Sequence, residues 1–296
     1  MYRHPSCQAL ADDGFVHLHQ TLSPEEVQNI SSYCRPIRKS ILASWTDRPQ
    51  ETVPYASLVV KHWEFACLID RPEALRAVIA LLGPCIHMIA SELWVREAQT
   101  GSCDLAEGVH QDGGFLMHHL PCVTQVKAQF FLTPLKERGM GNLGFIRGSH
   151  RWAGPPDDLP LEQVEKNRVV TTPDAGDVVI WTNRTLHFVE QNDSDRDRIS
   201  VILTYSPVWA RPFDYVQVSA ESASHLTPLQ RLLVGDDGEG FYRAKYYNPA
   251  LNYLARYQTL LTEAVGPLSH CFDAAKLLYN FSPGSSIPKR ESIILP

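Results

Sequence analysis

A chain of 296 residues with 44% hydrophobic and 20% charged residues can bury one large core and is not a disordered tail. Lys and Arg number 27 against 33 Asp and Glu, a formal charge of −6 with no visible basic patch, which argues against nucleic acid as a partner. Neither a P-loop nor a GxGxxG fingerprint occurs, so nothing points to polyphosphate or dinucleotide binding.

In chain order, Ser23-Pro24-Glu25-Glu26 supplies an N-cap hydroxyl, a proline in the first turn and a glutamate at N3, which predicts a helix start. Asp70-Arg71-Pro72-Glu73 opens a second helix whose apolar stripe is Leu75, Val78, Ile79, Leu81 and Leu82, stopped by Gly83-Pro84. From 86 to 206 the texture changes to short β-like runs: Ile86–Val95, Val126–Leu132, Leu143–Arg147, Val178–Trp181 and Ile199–Tyr205, separated by Gly, Pro, Asp and Asn clusters. Thr227-Pro228 opens a third helix through Leu233, closed by Gly235. Short strands flanked by helices predict an α+β domain with a barrel or sandwich core at about 86–206, the whole of 1–296 forming one domain.

Seven scattered cysteines without a CxxC pair fit neither a disulfide framework nor a zinc ribbon, and favour a reducing compartment. No apolar run reaches the roughly 18–20 residues of a membrane span, and none of signal-peptide length follows Met1. The expectation is a cytoplasmic protein that uses neither membrane nor nucleic acid and acts on a small molecule, with a homo-oligomer left open.

Twelve histidines make His-x-Asp/Glu expected about once by chance, and it occurs twice, at His62-Trp63-Glu64 and His110-Gln111-Asp112. Residues i and i+2 of a strand project from one face, so His110 and Asp112 can converge on one ion, with a third ligand supplied from elsewhere. Pro173-Asp174-Ala175-Gly176-Asp177 launches the apolar run 178–181, and His187 follows on the next stretch. Two histidines and one carboxylate form the facial arrangement of non-haem Fe(II) oxygenases. His62 and Glu64 lack such a partner and read as a partly exposed pair near a helix. An Fe(II) oxygenase using 2-oxoglutarate needs a cationic fork for the far carboxylate, the geometry of arginine. Arg198 begins the run to Tyr205 and shares its strand face with Ser200, which can help to hold the carboxylate. Arg196 lies among Asp193, Asp195 and Asp197 and reads as paired with them in solvent.

His110-Gln111-Asp112-Gly113-Gly114, Lys127–Thr133, Gly141–Arg151, Ala175-Gly176-Asp177 through His187, and then Asn192 and Arg198 resemble the phytanoyl-CoA dioxygenase family, as does Asp13–Val16 with Leu22–Glu26. The resemblance spans about 10–210, and within the family it is similar to fungal tailoring oxygenases of terpenoid, alkaloid and polyketide scaffolds. It implies a double-stranded β-helix (jelly-roll) core, iron held by His110, Asp112 and His187, 2-oxoglutarate held by Arg198, and O2 consumed with release of succinate and CO2. It also implies oxidation of an unactivated C–H bond, hydroxylation being the default outcome. Halogenases of the family carry Gly or Ala where Asp112 stands, which disfavours halogenation. Such relatives often have Gln and Thr where Glu107 and Leu143 stand, and a proline where Arg147 stands.

Other residues carry two readings. Lys127 shares an inward strand face with Gln129, and burying it unpaired is costly; it is expected to reach the 2-oxoglutarate carboxylate, with solvent as the alternative. Of His118 and His119 only one can face a cavity. His150 reads as a loop histidine bonded to backbone, and Trp181 and Phe188 as either pocket lining or core. The aromatic stretch 241–247 reads as a lid or an oligomer contact. Two competing functions stand beside the oxygenase: a jelly-roll binding protein without turnover, and a cupin-type metalloenzyme that does not use 2-oxoglutarate.

Overall fold

The computed structural model describes residues 5–44, 53–98, 108–112, 122–152, 161–236 and 253–267. Glu107, His118, His119 and the stretch 241–247 lie outside them.

The chain begins with α1 (Pro5–Asp13), β1 (Phe15–Leu18) and α2 (Pro24–Ser44). The expected capping at Ser23 is present: the Ser23 hydroxyl accepts from the Glu26 amide at 3.2 Å, and the Glu26 carboxylate accepts from the Ser23 amide at 2.7 Å. β2 (Val53–Ala56), α3 (Leu58–Lys61) and a 3-10 turn at Trp63–Leu68 lead to α4 (Pro72–Leu82). Next come β3 (Ile86–Arg96), β4 (Val126–Phe131), β5 (Leu143–Ile146), α5 (Leu161–Lys166), β6 (Arg168–Val170), β7 (Val178–Thr182), β8 (His187–Val189) and β9 (Arg198–Pro207). The chain closes with α6 (Ala220–His225), α7 (Pro228–Leu233), opened by the full capping box of Thr227 and Gln230, and α8 (Tyr253–Val265).

Two antiparallel sheets carry the strands, a six-stranded one in the order β1-β7-β4-β9-β3-β2 and a three-stranded one in the order β6-β5-β8. This is the jelly-roll architecture, with most helices on the outer face of the large sheet and α5 behind the small one. The period-2 alternation of each strand sorts its residues between two cores. On the outer face of the large sheet, Val178 and Ile180 of β7, Val126, Ala128 and Phe130 of β4, and Val201 and Leu203 of β9 pack with Leu75, Val78, Ile79, Leu229 and Leu233 of the helices. On the inner face Val179, Trp181, Phe131 and Ile202 pack with Phe15 and with Leu143 and Phe145 of the small sheet. The Phe15 and Phe145 rings stack at 4.2 Å and 8°. Ile146, Leu186 and Phe188 form a third cluster behind the small sheet.

All three expected helices and all five expected strands are present. The sequence does not signal β2, which pairs with β3 from outside the expected 86–206 core, nor β6 and β8, each of three residues. The latter two are too short to carry a period and are held by pairing to β5.

Candidate active site

The inner face of the large sheet is polar where the outer face is not. Cross-strand register puts Glu92, Trp94 and Arg96 of β3 opposite Ile202, Ser200 and Arg198 of β9, and Lys127 and Gln129 of β4 opposite Trp181 and Val179 of β7. Paired residues share a face, so these side chains line the space between the sheets.

His110 reaches this space by pairing outside the named strands. Its amide donates to the His187 carbonyl and its carbonyl accepts from the His187 amide, both at 2.9 Å, and the two rings lie 4.2 Å apart. Such a reciprocal pair puts both side chains on one face. The Gln111 side chain donates to the Arg184 carbonyl at 2.6 Å and anchors the same segment. On the other side, the Ser149 hydroxyl accepts from the Leu186 amide at 2.9 Å, fixing the residue before His187.

Asp112 completes the cluster. The ligand-capable atoms of His110, Asp112 and His187 all lie within 4.8 Å of one another, and His187 Nε2 is 3.6 Å from Asp112 Oδ2. Each imidazole holds its Nδ1 against a carbonyl: His110 against Gly108 at 2.9 Å, His187 against Thr185 at 3.0 Å. Nδ1–H donates there, which leaves the Nε2 lone pair free, the tautomer that a metal requires. Burial pushes His187 down to about 4 against the opposing pull of Asp112, so it is neutral near pH 7. Burial pushes the Asp112 carboxyl up, but His187 and the Lys127 ammonium hold it below the usual carboxylate range. Its Oδ2 also accepts from Trp181 Nε1 at 3.1 Å. Two free imidazole nitrogens and an ionised carboxylate on one point are a donor set that fits Fe(II).

Arg198 sits at the start of β9, 2% exposed. Its Nη1 donates to the Gly141 carbonyl at 2.8 Å, whereas its Nε has no hydrogen-bond partner and no carboxylate lies within ion-pair distance among the described residues. Burial, reinforced by neighbouring Arg96, pushes the guanidinium down to about 9, still charged near neutrality. An uncompensated buried cation fits a dianionic cosubstrate that brings its own carboxylate. Gly141, at φ +75°, makes room for the two arginines: a Cβ there would meet Arg96 Cδ at 2.9 Å. Ser200 is fully buried two residues along and accepts from Gln129 Nε2 at 2.8 Å.

Lys127 takes a different partner from the one expected. Its Nζ lies 2.5 Å from Asp112 Oδ1, at the histidine end of the cavity. Its partner on β9 is Thr204, six residues from Arg198, so its strand position carries it to Asp112 and away from the arginine. Arg196 stays 3.8 Å from Asp195 in an exposed turn. His62 bonds the Tyr55 hydroxyl at 3.2 Å, and His150 bonds the Ala11 carbonyl at 3.1 Å. Trp181 lies between the two readings made of it, buried in the inner core with its indole N–H on Asp112, while Phe188 is core and carries Arg168 over its ring at 4.1 Å. Leu143 is buried inner core. Glu92, an inward-facing carboxylate that burial pushes up, went unnoticed in the sequence. The alternation of β3 was the available signal.

The family model for phytanoyl-CoA dioxygenase (PhyH) matches residues 10–200. Among solved structures, the chain is similar to the non-heme alpha ketoglutarate dependent carbocyclase SnoK from nogalamycin biosynthesis, at 24% identity and TM-score 0.55 over 77% of this chain and 92% of that one. The epimerase SnoN of the same biosynthesis matches at 20% and 0.54 over 68% and 79%. HygX from Streptomyces hygroscopicus, solved with nickel and 2-oxoglutarate bound, matches at 16% and 0.55 over 74% and 93%. At these identities the likeness establishes the fold. A search of curated proteins gives no match. Because the family model covers well over half of its length, the chain belongs to the phytanoyl-CoA dioxygenase family of 2-oxoglutarate-dependent non-haem iron enzymes.

Proposed function

We propose that this enzyme hydroxylates an unactivated C–H bond of a small secondary-metabolite scaffold, with His110, Asp112 and His187 holding Fe(II) and Arg198 and Ser200 holding the far carboxylate of 2-oxoglutarate. The observation that carries the reading is the pairing of a convergent two-histidine, one-carboxylate cluster with a buried arginine that has no carboxylate partner among the described residues. Iron, when bound, supplies the oxidising chemistry: one O2 is consumed, one oxygen atom enters the substrate C–H bond, and the other enters succinate as CO2 leaves.

The chain's own groups do the rest. Thr185 and Gly108 carbonyls fix the imidazole tautomers, and Trp181 Nε1 and Lys127 Nζ orient the Asp112 carboxylate. Arg198, reached past Gln129 and Ser200, sets the direction in which the keto acid lies. Phe131, opposite Ser200, makes that end of the cavity apolar, and Phe145 and Trp181 pack at the histidine end, where they exclude water. His110 is the exposed member of the triad, so the substrate approaches from its side. No described helix is long and apolar enough to cross a membrane.

The test is incubation with Fe(II), 2-oxoglutarate, O2 and candidate scaffolds, following succinate and product mass. Succinate coupled to a gain of one oxygen atom supports hydroxylation. Coupled loss of two hydrogens would replace it with ring closure or desaturation. No succinate from the intact chain, or equal succinate from Asp112→Ala, would overturn the reading.

A further inference from the structure

A second cluster of metal-ligating side chains lies away from the triad. His17 of β1, His19 just beyond it and Asp177 in the turn before β7 bring their ligand-capable atoms within 4.8 Å of one another. His17 Nε2 is 2.7 Å and His19 Nδ1 3.1 Å from the same carboxylate oxygen, Asp177 Oδ2. Four residues of extended chain, roughly 13 Å, separate Asp177 from Trp181 at the triad, with Val179 between them and Phe15 opposite Trp181.

Hydrogen bonding alone is a poor account of this arrangement. Asp177 is already satisfied by backbone amides, Gln20 donating to Oδ1 and Asp174 to Oδ2, both at 2.9 Å. Two imidazoles are then added to one of those oxygens, their rings 4.2 Å apart. The His19 side chain is 71% exposed and has water freely available, yet it too turns its nitrogen onto the buried carboxylate, which is 3% exposed. Burial lowers His17, leaving it neutral near pH 7, the state in which imidazole binds a metal.

We propose that His17, His19 and Asp177 form a second metal site, selective for a borderline divalent ion of the zinc type, with one position left to water. Two nitrogens and one oxygen suit such an ion rather than Mg2+ or Ca2+. With metal–ligand bonds of about 2.0–2.2 Å, tetrahedral neighbours stand roughly 3.3 Å apart. The larger adjustment falls on partly buried His17, whose 2.7 Å spacing must open by about 0.6 Å, while exposed His19, at 3.1 Å, needs only about 0.2 Å. The ion fastens edge strand β1 to the turn that launches β7. β1 carries Phe15, which stacks on Phe145, and Phe145 lies 6.3 Å from His187, so the clip braces the wall behind the triad. The site is independent of the oxygenase reading.

Equilibrium dialysis of the full-length chain against Zn2+ alone, followed by metal analysis, tests it. The intact chain is expected to bind two ions, at the triad and here. His19→Ala, at an exposed position whose loss the fold tolerates, is expected to bind one fewer, and His19→Cys to restore it. Asp112→Ala is expected to keep this site, and its zinc-dependent rise in melting temperature is expected to vanish when His19→Ala is added. Equal zinc binding by the intact chain and His19→Ala overturns the proposal, as does an Asp112→Ala chain that binds no zinc.

Discussion

Replacing Arg198 by methionine keeps most of the side-chain volume and removes the charge. In the folded chain this guanidinium is 2% exposed, donates to one carbonyl and leaves Nε unpartnered, with Arg96 beside it. A buried charge left without its counter-ion costs about 2–5 kcal/mol, and that energy is recovered only when the cosubstrate carboxylate arrives. At about 1.4 kcal/mol per decade, Arg198→Met is expected to raise the 2-oxoglutarate requirement roughly 30-fold to several-thousand-fold. Iron binding is expected to stay near that of the parent chain, because none of the three triad residues touches the arginine. The same argument fixes the sign of a second readout. Without cosubstrate the variant is expected to melt no lower than the parent, since it no longer carries an uncompensated cation. The assays are anaerobic titration of the Fe(II)-loaded chain with 2-oxoglutarate and thermal unfolding of the unliganded chain. A requirement unchanged within about threefold, or one that rises instead in Arg196→Ala, refutes the assignment.

Trp181→Phe keeps an aromatic ring in the inner core and deletes the N–H that Asp112 Oδ2 accepts; iron affinity is expected to fall about 10- to 100-fold with the fold intact, measured by iron titration and circular dichroism. Gly144→Ala places a Cβ 2.1 Å from the Phe188 ring, which cannot retreat from the third hydrophobic cluster, and is expected to destabilise by about 1–3 kcal/mol in urea unfolding. Burial pushes His150 down to about 4 from an unfolded value near 6.5. The unfolded chain therefore takes up a proton that the folded chain refuses, and stability is lost as pH falls from about 6.5 to 4, by on the order of 3 kcal/mol from this residue. His150→Gln, which can still donate to the Ala11 carbonyl, is expected to flatten that part of the curve when unfolding free energies at pH 7 and pH 4.5 are compared.

The chemistry was more legible in the sequence than the pairing was. Strands of four to eleven residues whose alternation separates an apolar outer face from a mixed inner one could be read directly, as could helices opened by Ser23, Pro72 and Thr227, because those signals are local. The ladder between His110 and His187 could not: it joins two segments 77 positions apart through backbone atoms, and backbone pairing carries no residue code. Lys127 shows the same limit. Alternation correctly placed it facing inward, but which inward group it meets depends on how β4 registers against β7 and β9, and that register brings it to Asp112. The Gly148-Ser149-His150 block gives no sign in the sequence that Ser149 pins Leu186 and His150 pins the first helix, since each bond ends on a distant backbone atom.

The division of labour between the two faces of the large sheet explains how the chain sustains so polar an interior. Asp112, Gln129, Ser200, Arg198 and most of Lys127 are withdrawn from water, and an apolar inner face of the same shape would fold more stably. The outer face, sealed by α2, α4, α7 and α8, is apolar at almost every position and supplies the burial that offsets this cost. Because successive residues of one strand serve opposite faces, the outer positions hold each strand rigid while the inner ones are set by chemistry. Substitutions on the inner face should therefore change binding more than folding, and those on the outer face the reverse. Arg198 and Ser200, alternating with Ile199 and Val201 along β9, place both kinds of residue on a single strand.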